Sequence, residues 1–369
     1  MIPLIPLFEQ FPGLKESLPH ENLCDLPSPI NKLNKVGEKL GLDHLYMKQD
    51  GIIGHPFGGN KVRKLEFLLG EALRRGCKEV MTFGFAGSNH ALATAVYANY
   101  EGLMSISMLL PQPNAHYVRR NLLMSWEYGA ELHQYPNKLL LSLGTWYQLL
   151  RHRKITGKKT YVIPPGGSLP LGVVGFVNAA FELKQQIEQG QIPEPARIYV
   201  PMGTAGTYVG LLIGLKALNL KSQIFPVRVV DKHFTDEGKI LKLFRDTVTL
   251  LCTSDPLFPR VQLSPDEIEI NENFLGEGYA RFTKEGMAAV ALMEETEGIQ
   301  LDGTYTGKTF AALFADASQQ RIKKDDVVLF WNTLNAEDFS DEIEDIDYHE
   351  LPKAFHRYFE QEVQPLDRN

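Results

Sequence analysis

The spacing of apolar residues switches repeatedly between the two periods that regular structure imposes. Leu45-Tyr46-Met47 reads as a short strand. It runs into GIIGHPFGGN, residues 51–60, whose four glycines and proline predict a loop, because glycine tolerates positive φ and proline blocks a regular helix. From Lys61 the period changes: Leu65, Leu68, Leu69, Ala72 and Leu73 fall at i, i+3, i+4, i+7 and i+8, one face of a helix that Gly76 ends. Strands are then predicted over 80–83, 103–111, near Leu132, and over 161–163, 197–200, 224–230 and 327–331. Helices are predicted over 91–102, 119–128, 139–152, 173–189, 209–218, 283–297 and 307–317. Residues 232–273 show no clear period.

Strand and helix alternate through short loops, which predicts parallel strands joined by right-handed crossovers and hence an α/β fold. Such sheets bind ligands at the carboxyl ends of their strands. In this chain the Gly-rich turns sit at those ends: 51–60, 84–90, 164–167 and 201–207.

Composition narrows the class. With 44% hydrophobic and 22% charged residues, the 369-residue chain is globular and long enough for one large domain or two modest ones. A net charge of −7 argues against nucleic acid or an anionic membrane as partner. Cys24, Cys77 and Cys252 are far apart and odd in number, which argues against a disulfide framework or a structural zinc site, and no metal is expected. No apolar run approaches the ~20 residues that span a bilayer. The first residues, MIPLIPLFEQFPG, lack a basic start and are broken by prolines, so a cytoplasmic protein is expected. One charge run, 337–350, holds eight acids and reads as a solvated segment.

Three turns could carry chemistry. Lys61 stands where the Gly-rich loop enters a helix, and a positive potential there lowers an amine's pKa and frees it for imine formation. Lys64, three residues on, is expected on the solvated flank of that helix. Gly203-Thr204-Ala205-Gly206-Thr207 lies between a strand and a helix, where backbone N–H groups and hydroxyls can converge on one phosphate monoester. It is neither a dinucleotide fingerprint nor a P-loop. Gly87-Ser88-Asn89-His90 lies at another strand-to-helix turn; Ser88 fits a helix N-cap as well as a reactive hydroxyl.

Taken together, a lysine on a Gly-rich loop, a Ser-Asn turn and a single-phosphate cradle resemble fold-type-II pyridoxal-phosphate enzymes. The branch resembled is that of 1-aminocyclopropane-1-carboxylate deaminase and D-cysteine desulfhydrase. The matching segments are LYMKQDG, FGGNKVRKLEFLLGEAL, GSNHA, IPPGGSLPLGVVGF, GTAGT, GYARFTKEG and YTGKTF. The resemblance implies a two-domain, tryptophan synthase beta-like fold, each domain a mostly parallel sheet flanked by helices. Residues 1–63 and 176–369 would form the large domain and 64–175 a small inserted one, with pyridoxal 5'-phosphate between them. It further implies that Lys61 holds the cofactor as an imine and shuttles protons. Asn89 would meet the cofactor's ring oxygen, Gly203, Thr204, Ala205, Gly206 and Thr207 its phosphate, and Thr306 its pyridine nitrogen. Ser88, Asn89 and His90 would receive the substrate carboxylate, with Ser88, Tyr279 and Tyr305 catalytic alongside Lys61. A homodimer is implied as well.

The chain departs from the family at Gly87, where Gln is usual, at Asp302-Gly303-Thr304 and at Asn332-Thr333-Leu334-Asn335. The ring-opening deaminases carry Glu where this chain has Thr306, and the D-cysteine desulfhydrases carry Thr. The expected activity is therefore β-elimination from D-cysteine or a similar D-amino acid, giving pyruvate, ammonia and sulfide. The alternatives are 1-aminocyclopropane-1-carboxylate deamination and a cofactor-binding protein without turnover. A serine hydrolase using Ser88 and His90 would need an oriented acid and a G-x-S-x-G elbow, and the elbow is not met.

Overall fold

The computed structural model describes residues 5–368; the first four residues of the proline-broken amino terminus and the last residue lie outside the described part. The elements that matter begin with strands β1 (Ile30–Lys32) and β2 (Leu45–Gln49) and helix α1 (Val62–Arg74). Next come β3 (Glu79–Phe85), α2 (Asn89–Tyr100), β4 (Met104–Leu110), α3 (His116–Glu127), β5 (Glu131–Gln134), α4 (Lys138–Thr156) and β6 (Tyr161–Ile163). They are followed by α5 (Pro170–Glu188), β7 (Arg197–Met202), α6 (Gly206–Ala217), β8 (Gln223–Arg228) and α7 (Glu237–Ser254). The series closes with α8 (Lys284–Glu297), α9 (Thr306–Ser318) and β9 (Val328–Asn332).

The chain divides into two compact units. The first comprises residues 1–18, 24–64 and 168–336; the second comprises 19–23, 65–167 and 337–369. The carboxyl-terminal stretch 337–369, expected in the large domain, thus belongs to the second unit, and the return to the first unit comes at Ser168 rather than at residue 176.

In the first unit the strand order is β1-β2-β9-β7-β8, with only β1 antiparallel. Central strand β9 is apolar and buried throughout, as a strand covered on both faces must be. Its Val328 and Phe330 pack with residues of α8 and α9, and its Leu329 and Trp331 with residues of α5 and α6. The second unit has an all-parallel sheet in the order β5-β4-β3-β6. Among the described residues no helix is long and apolar enough to cross a membrane.

A buried ionic cluster binds the first unit together just below the Lys61 loop. Arg63 donates to Asp50 and Glu182, each at 2.8 Å, and Lys48 donates to Glu182 at 2.6 Å. Trp331 Nε1 donates to the other Asp50 oxygen at 2.8 Å, and Ser28 accepts from Arg63 and donates to Glu182. One cluster therefore clamps β2, α5, β9 and the start of α1. A Cβ on Gly175 of α5 would lie 2.0 Å from the Arg63 carbonyl oxygen, so only glycine lets the two helices come this close.

The stretch without a clear period holds α7. Ile240, Phe244, Val248 and Leu251 form its buried face and the Asp236 side chain caps its start.

Candidate active site

In the first unit, Lys61 follows a loop that only glycines can form. A Cβ at Gly58 would lie 1.8 Å from the Gly51 carbonyl oxygen, and Gly59 has φ +95°. The loop is held from below by the divergent stretch after β9. The Gly58 N–H donates to Asn335 Oδ1 at 2.6 Å, and the Asn60 N–H donates to the Thr333 carbonyl at 3.3 Å. Those departures from the family pattern thus buttress the lysine loop. Burial lowers the Lys61 amine to about 8.

Lys64 is not on a solvated flank. Helix α1 is buried from Val62 through Ala72, and Lys64 is 1% exposed. Its amine is held well below the ordinary range, first by burial and then by the charge of Lys61. Its side chain reaches the turn before α6: a Cβ on Gly206 would lie 2.7 Å from Lys64 Nζ and 2.6 Å from Ser168 Oγ. The amine thus points at the start of α6.

That start is built to receive an anion. Ala205, at φ 62°, takes the left-handed conformation that non-glycine residues adopt at strained functional turns, and no side chain caps the helix. The first N–H groups of α6 are therefore orphan donors, with the helix dipole behind them. Ser168 Oγ and Thr204 Oγ1 hydrogen-bond at 2.7 Å, and Thr235 donates to the Gly203 carbonyl at 2.7 Å. Asn60 Nδ2 donates to Thr207 Oγ1 at 3.1 Å, tying the lysine loop to the cradle. A cradle that a single methyl group would fill, an uncapped helix and a buried lysine fit a phosphate group. Asn60, Ser168 and Thr235 were not among the residues the sequence singled out, and Lys64 was expected in solvent. Their roles depend on contacts across the unit, and only the K-x-x-K spacing hinted at that of Lys64.

Tyr305 reaches the same place, its Cε1 lying 3.9 Å from where a Gly203 Cβ would be. Its hydroxyl pairs with that of Tyr279 at 2.7 Å. Burial and then Tyr305 push the Tyr279 phenol well above its usual range, so it stays neutral. Lys308 donates to the carbonyls of Leu275 (2.6 Å) and Gly278 (3.2 Å), which anchors the loop ahead of Tyr279. Thr306 is fully buried; its hydroxyl donates to Asp302 Oδ2 and accepts from the Asp302 N–H, both at 2.8 Å. The Asp302 carboxylate also takes the N–H groups of Thr304, Tyr305 and Thr306, capping α9.

In the second unit, the turn after β3 carries Ser88, Asn89 and His90, with Ser88 and His90 buried. Ser88 is the N-cap of α2, its Oγ accepting from the Ala91 N–H at 3.2 Å. The serine therefore serves as a helix cap, and as an acceptor in that bond it keeps its own hydroxyl proton. Asn121 Nδ2 donates to Asn89 Oδ1 at 2.7 Å, which leaves the Asn89 amide nitrogen as the outward donor.

Comparison with known proteins fits this geometry. The model of the pyridoxal-phosphate dependent enzyme family matches residues 23–333. A D-cysteine desulfhydrase of Klebsiella pneumoniae (strain 342) is 33% identical over 334 residues, covering 86% of this chain and 94% of its own. A putative 1-aminocyclopropane-1-carboxylate deaminase of Pyrococcus abyssi is 32% identical over 303 residues, covering 82% and 87%. Among solved structures, one described as an ACC deaminase homologue superposes with a TM-score of 0.76 at 30% identity, covering 93% of this chain and 99% of that one. The chain belongs to the pyridoxal-phosphate-dependent enzymes, in the family of the D-cysteine desulfhydrases and 1-aminocyclopropane-1-carboxylate deaminases.

Proposed function

We propose that this enzyme eliminates the β-substituent of a D-amino acid, with D-cysteine the preferred substrate and pyruvate, ammonia and sulfide the products. The observation that carries the choice is Thr306. Pyridoxal phosphate, when bound, supplies an electron sink for charge developing at the substrate α-carbon. A carboxylate facing its ring nitrogen would keep that nitrogen protonated and deepen the sink, as opening a cyclopropane ring demands. Thr306 offers a neutral hydroxyl instead. The Asp302 carboxylate behind it is already engaged by three backbone N–H groups and that hydroxyl. A shallower sink favours prompt loss of a good β-leaving group.

The other roles follow from the residues. Lys61 holds the cofactor through Nζ and carries the α-proton, helped by an amine already lowered to about 8. Lys64, Thr204, Thr207 and the N–H groups at the start of α6 bind the phosphate, with Gly203, Ala205 and Gly206 giving it room. Ser88, the Asn89 amide nitrogen and His90 receive the substrate carboxylate, and Asn89 also meets the cofactor's ring oxygen. The Tyr279–Tyr305 hydroxyl pair gives a proton to the departing thiolate.

The test is to incubate the holoenzyme separately with D-cysteine, L-cysteine, β-chloro-D-alanine and 1-aminocyclopropane-1-carboxylate. Pyruvate is expected from D-cysteine and β-chloro-D-alanine. Efficient 2-oxobutyrate release from the cyclopropane substrate, with no pyruvate from either D-amino acid, would overturn the reading in favour of the deaminase, which the similarity to the solved ACC deaminase homologue supports. A protein that binds the cofactor and turns over none of the four would be the carrier alternative.

The homodimer belongs to the same proposal, and α4 supports it. Leu139, Leu143, Trp146 and Leu150 follow the 4-3-4 spacing of a helix-pairing seam, with Leu140 and Tyr147 beside it. All six are exposed, Leu139 by 71% and Trp146 by 65%. A second copy covering this seam would bury on the order of the ~800 Å² per partner that a standard interface removes. Light scattering is expected to give twice the 41.6 kDa chain mass for the wild type and the single mass for the Leu143→Asp/Trp146→Asp variant. A monomeric wild type would remove the dimer from the reading.

A further inference from the structure

The stretch beyond Asn335 lies outside the family match, which ends at 333, yet it is bonded into the second unit. Tyr358, in the short helix Arg357–Glu360, is 2% exposed. Its hydroxyl accepts from the Gln112 N–H at 3.2 Å, from Gln134 Nε2 at 3.0 Å and from Arg357 at 2.9 Å. Its carbonyl accepts from Asn114 Nδ2 at 2.9 Å and Arg119 Nε at 2.7 Å, and the Gln361 carbonyl accepts from the same two side chains at 2.8 Å each. The Gln364 N–H donates to the Asn114 carbonyl at 2.9 Å, and Asp367 accepts from the His116 N–H at 2.6 Å. Residues 358–367 therefore clasp the connection between β4 and α3.

That connection in turn holds the turn after β3. Gln112 Oε1 accepts from the Gly87 N–H at 2.8 Å, while Gln112 Nε2 donates to the Tyr117 hydroxyl at 2.7 Å. Asn121 donates to the Gly87 carbonyl at 3.0 Å. No side chain fits at position 87: a Cβ there would lie 2.8 Å from both Tyr117 Cε2 and Val118 Cγ2 and 3.1 Å from Gln112 Nε2. Where the family usually carries Gln, this chain has glycine, and the amide of Gln112 fills the space from the side.

We propose that Gln112 and Tyr358 are positioning residues for the substrate carboxylate. The carboxyl-terminal segment fixes the backbone of Gln112, Gln112 fixes Gly87, and the Ser88–Asn89 donors are thereby presented in one arrangement. The inference deepens the reading above, since it rests on that turn receiving the carboxylate. It assigns the tail a place in the active enzyme and makes Gly87 and Gln112 a matched pair.

The test uses the full-length holoenzyme with Tyr358→Phe and Gln112→Met. Hydrogen exchange of the peptide spanning residues 84–92 is expected to rise roughly tenfold in both, with the peptide over Gly58–Lys64 unchanged. The KM for D-cysteine is expected to rise about tenfold with kcat within about twofold, and the visible spectrum of the bound cofactor to stay as it was. Gln112→Glu, which keeps an acceptor for the Gly87 N–H, is expected to retain most of the protection over 84–92. Unchanged exchange over that peptide in both of the first two variants overturns the proposal. Raised exchange with an unchanged KM overturns the link to the carboxylate. If the wild type releases no pyruvate from D-cysteine, the proposed reaction fails, and the exchange result still decides whether the tail holds the turn. Tyr358→Phe removes a single oxygen and serves if Gln112→Met does not fold.

Discussion

Lys61→Ala is expected to abolish the visible imine band of the protein mixed with pyridoxal phosphate and to lower kcat by at least about 10³-fold. On the proposed reading the lysine both anchors the cofactor and carries the α-proton, and acid–base transfer alone is worth 10²–10⁴. Lys64→Ala is expected to keep the band and to need more cofactor for saturation, because Lys64 Nζ lies against Gly206 at the start of α6, the proposed phosphate site. Borohydride reduction followed by peptide mapping separates the two; a reduced adduct on Lys64 would reverse the assignment. The pH dependence of imine formation offers a second check. An amine at about 8 is neutral roughly 300 times more often at pH 7 than one at the ordinary 10.5. The rate of reconstitution should therefore level off just above pH 8, while an unperturbed lysine would keep gaining to pH 10.

The largest loss of stability is expected from Arg63→Ala. Arg63 neutralises both Asp50 and Glu182, and its removal leaves two buried carboxylates with only Lys48 between them. Breaking such a cluster costs on the order of 3–5 kcal/mol, or a fall in Tm of about 4–6 °C in a chain of this size. Calorimetry of the apo chain measures it; a fall of less than about 2 °C would show that water replaces the guanidinium easily. Acid should act through the same cluster. Burial alone would raise the Glu182 carboxyl, but Arg63 and Lys48 outweigh it and hold it at about 2, below its ordinary 4.5. A depressed carboxyl stabilises the fold fully above its unfolded value, so this contribution is intact above about pH 4.5. It is lost as the pH falls from there towards 2.

The alternation of strands and helices was legible because periods of 2 and 3.6 are local. The three chemical turns were legible because glycines mark places where backbone must bend or come close. Lys64 and Arg63 were not, because nothing within a turn of α1 shows that they are buried. The carboxylate that meets Arg63 stands 119 positions further along, and the glycine that Lys64 faces lies on α6. The acids of 337–350 are solvated as expected, all exposed but the half-buried Glu337. What lay hidden is that the chain beyond them seats Tyr358 through bonds that reach back to Gln112 and Asn114. Helix α7 is a different case: its Asp236 cap and the Ile240, Phe244, Val248 and Leu251 spacing lay in the sequence, with polar residues and prolines on either side obscuring them.

Strand β2 pairs with β9 along its length, Leu45 opposite Val328 and Gln49 opposite Asn332. On the ribosome, at about 5–20 residues per second, β2 waits roughly 15–60 s for that partner to be made. Until then the cations and carboxylates at Lys48, Asp50 and Arg63 must stay in water, because Glu182 and then Trp331 arrive late. The first unit therefore cannot close during most of its synthesis, whereas the strands of the second unit are all made by residue 163. A nascent chain stalled between the two moments would carry the finished sheet of the second unit and the unfinished sheet of the first. A chain cut before Val328 would remain in that condition for good.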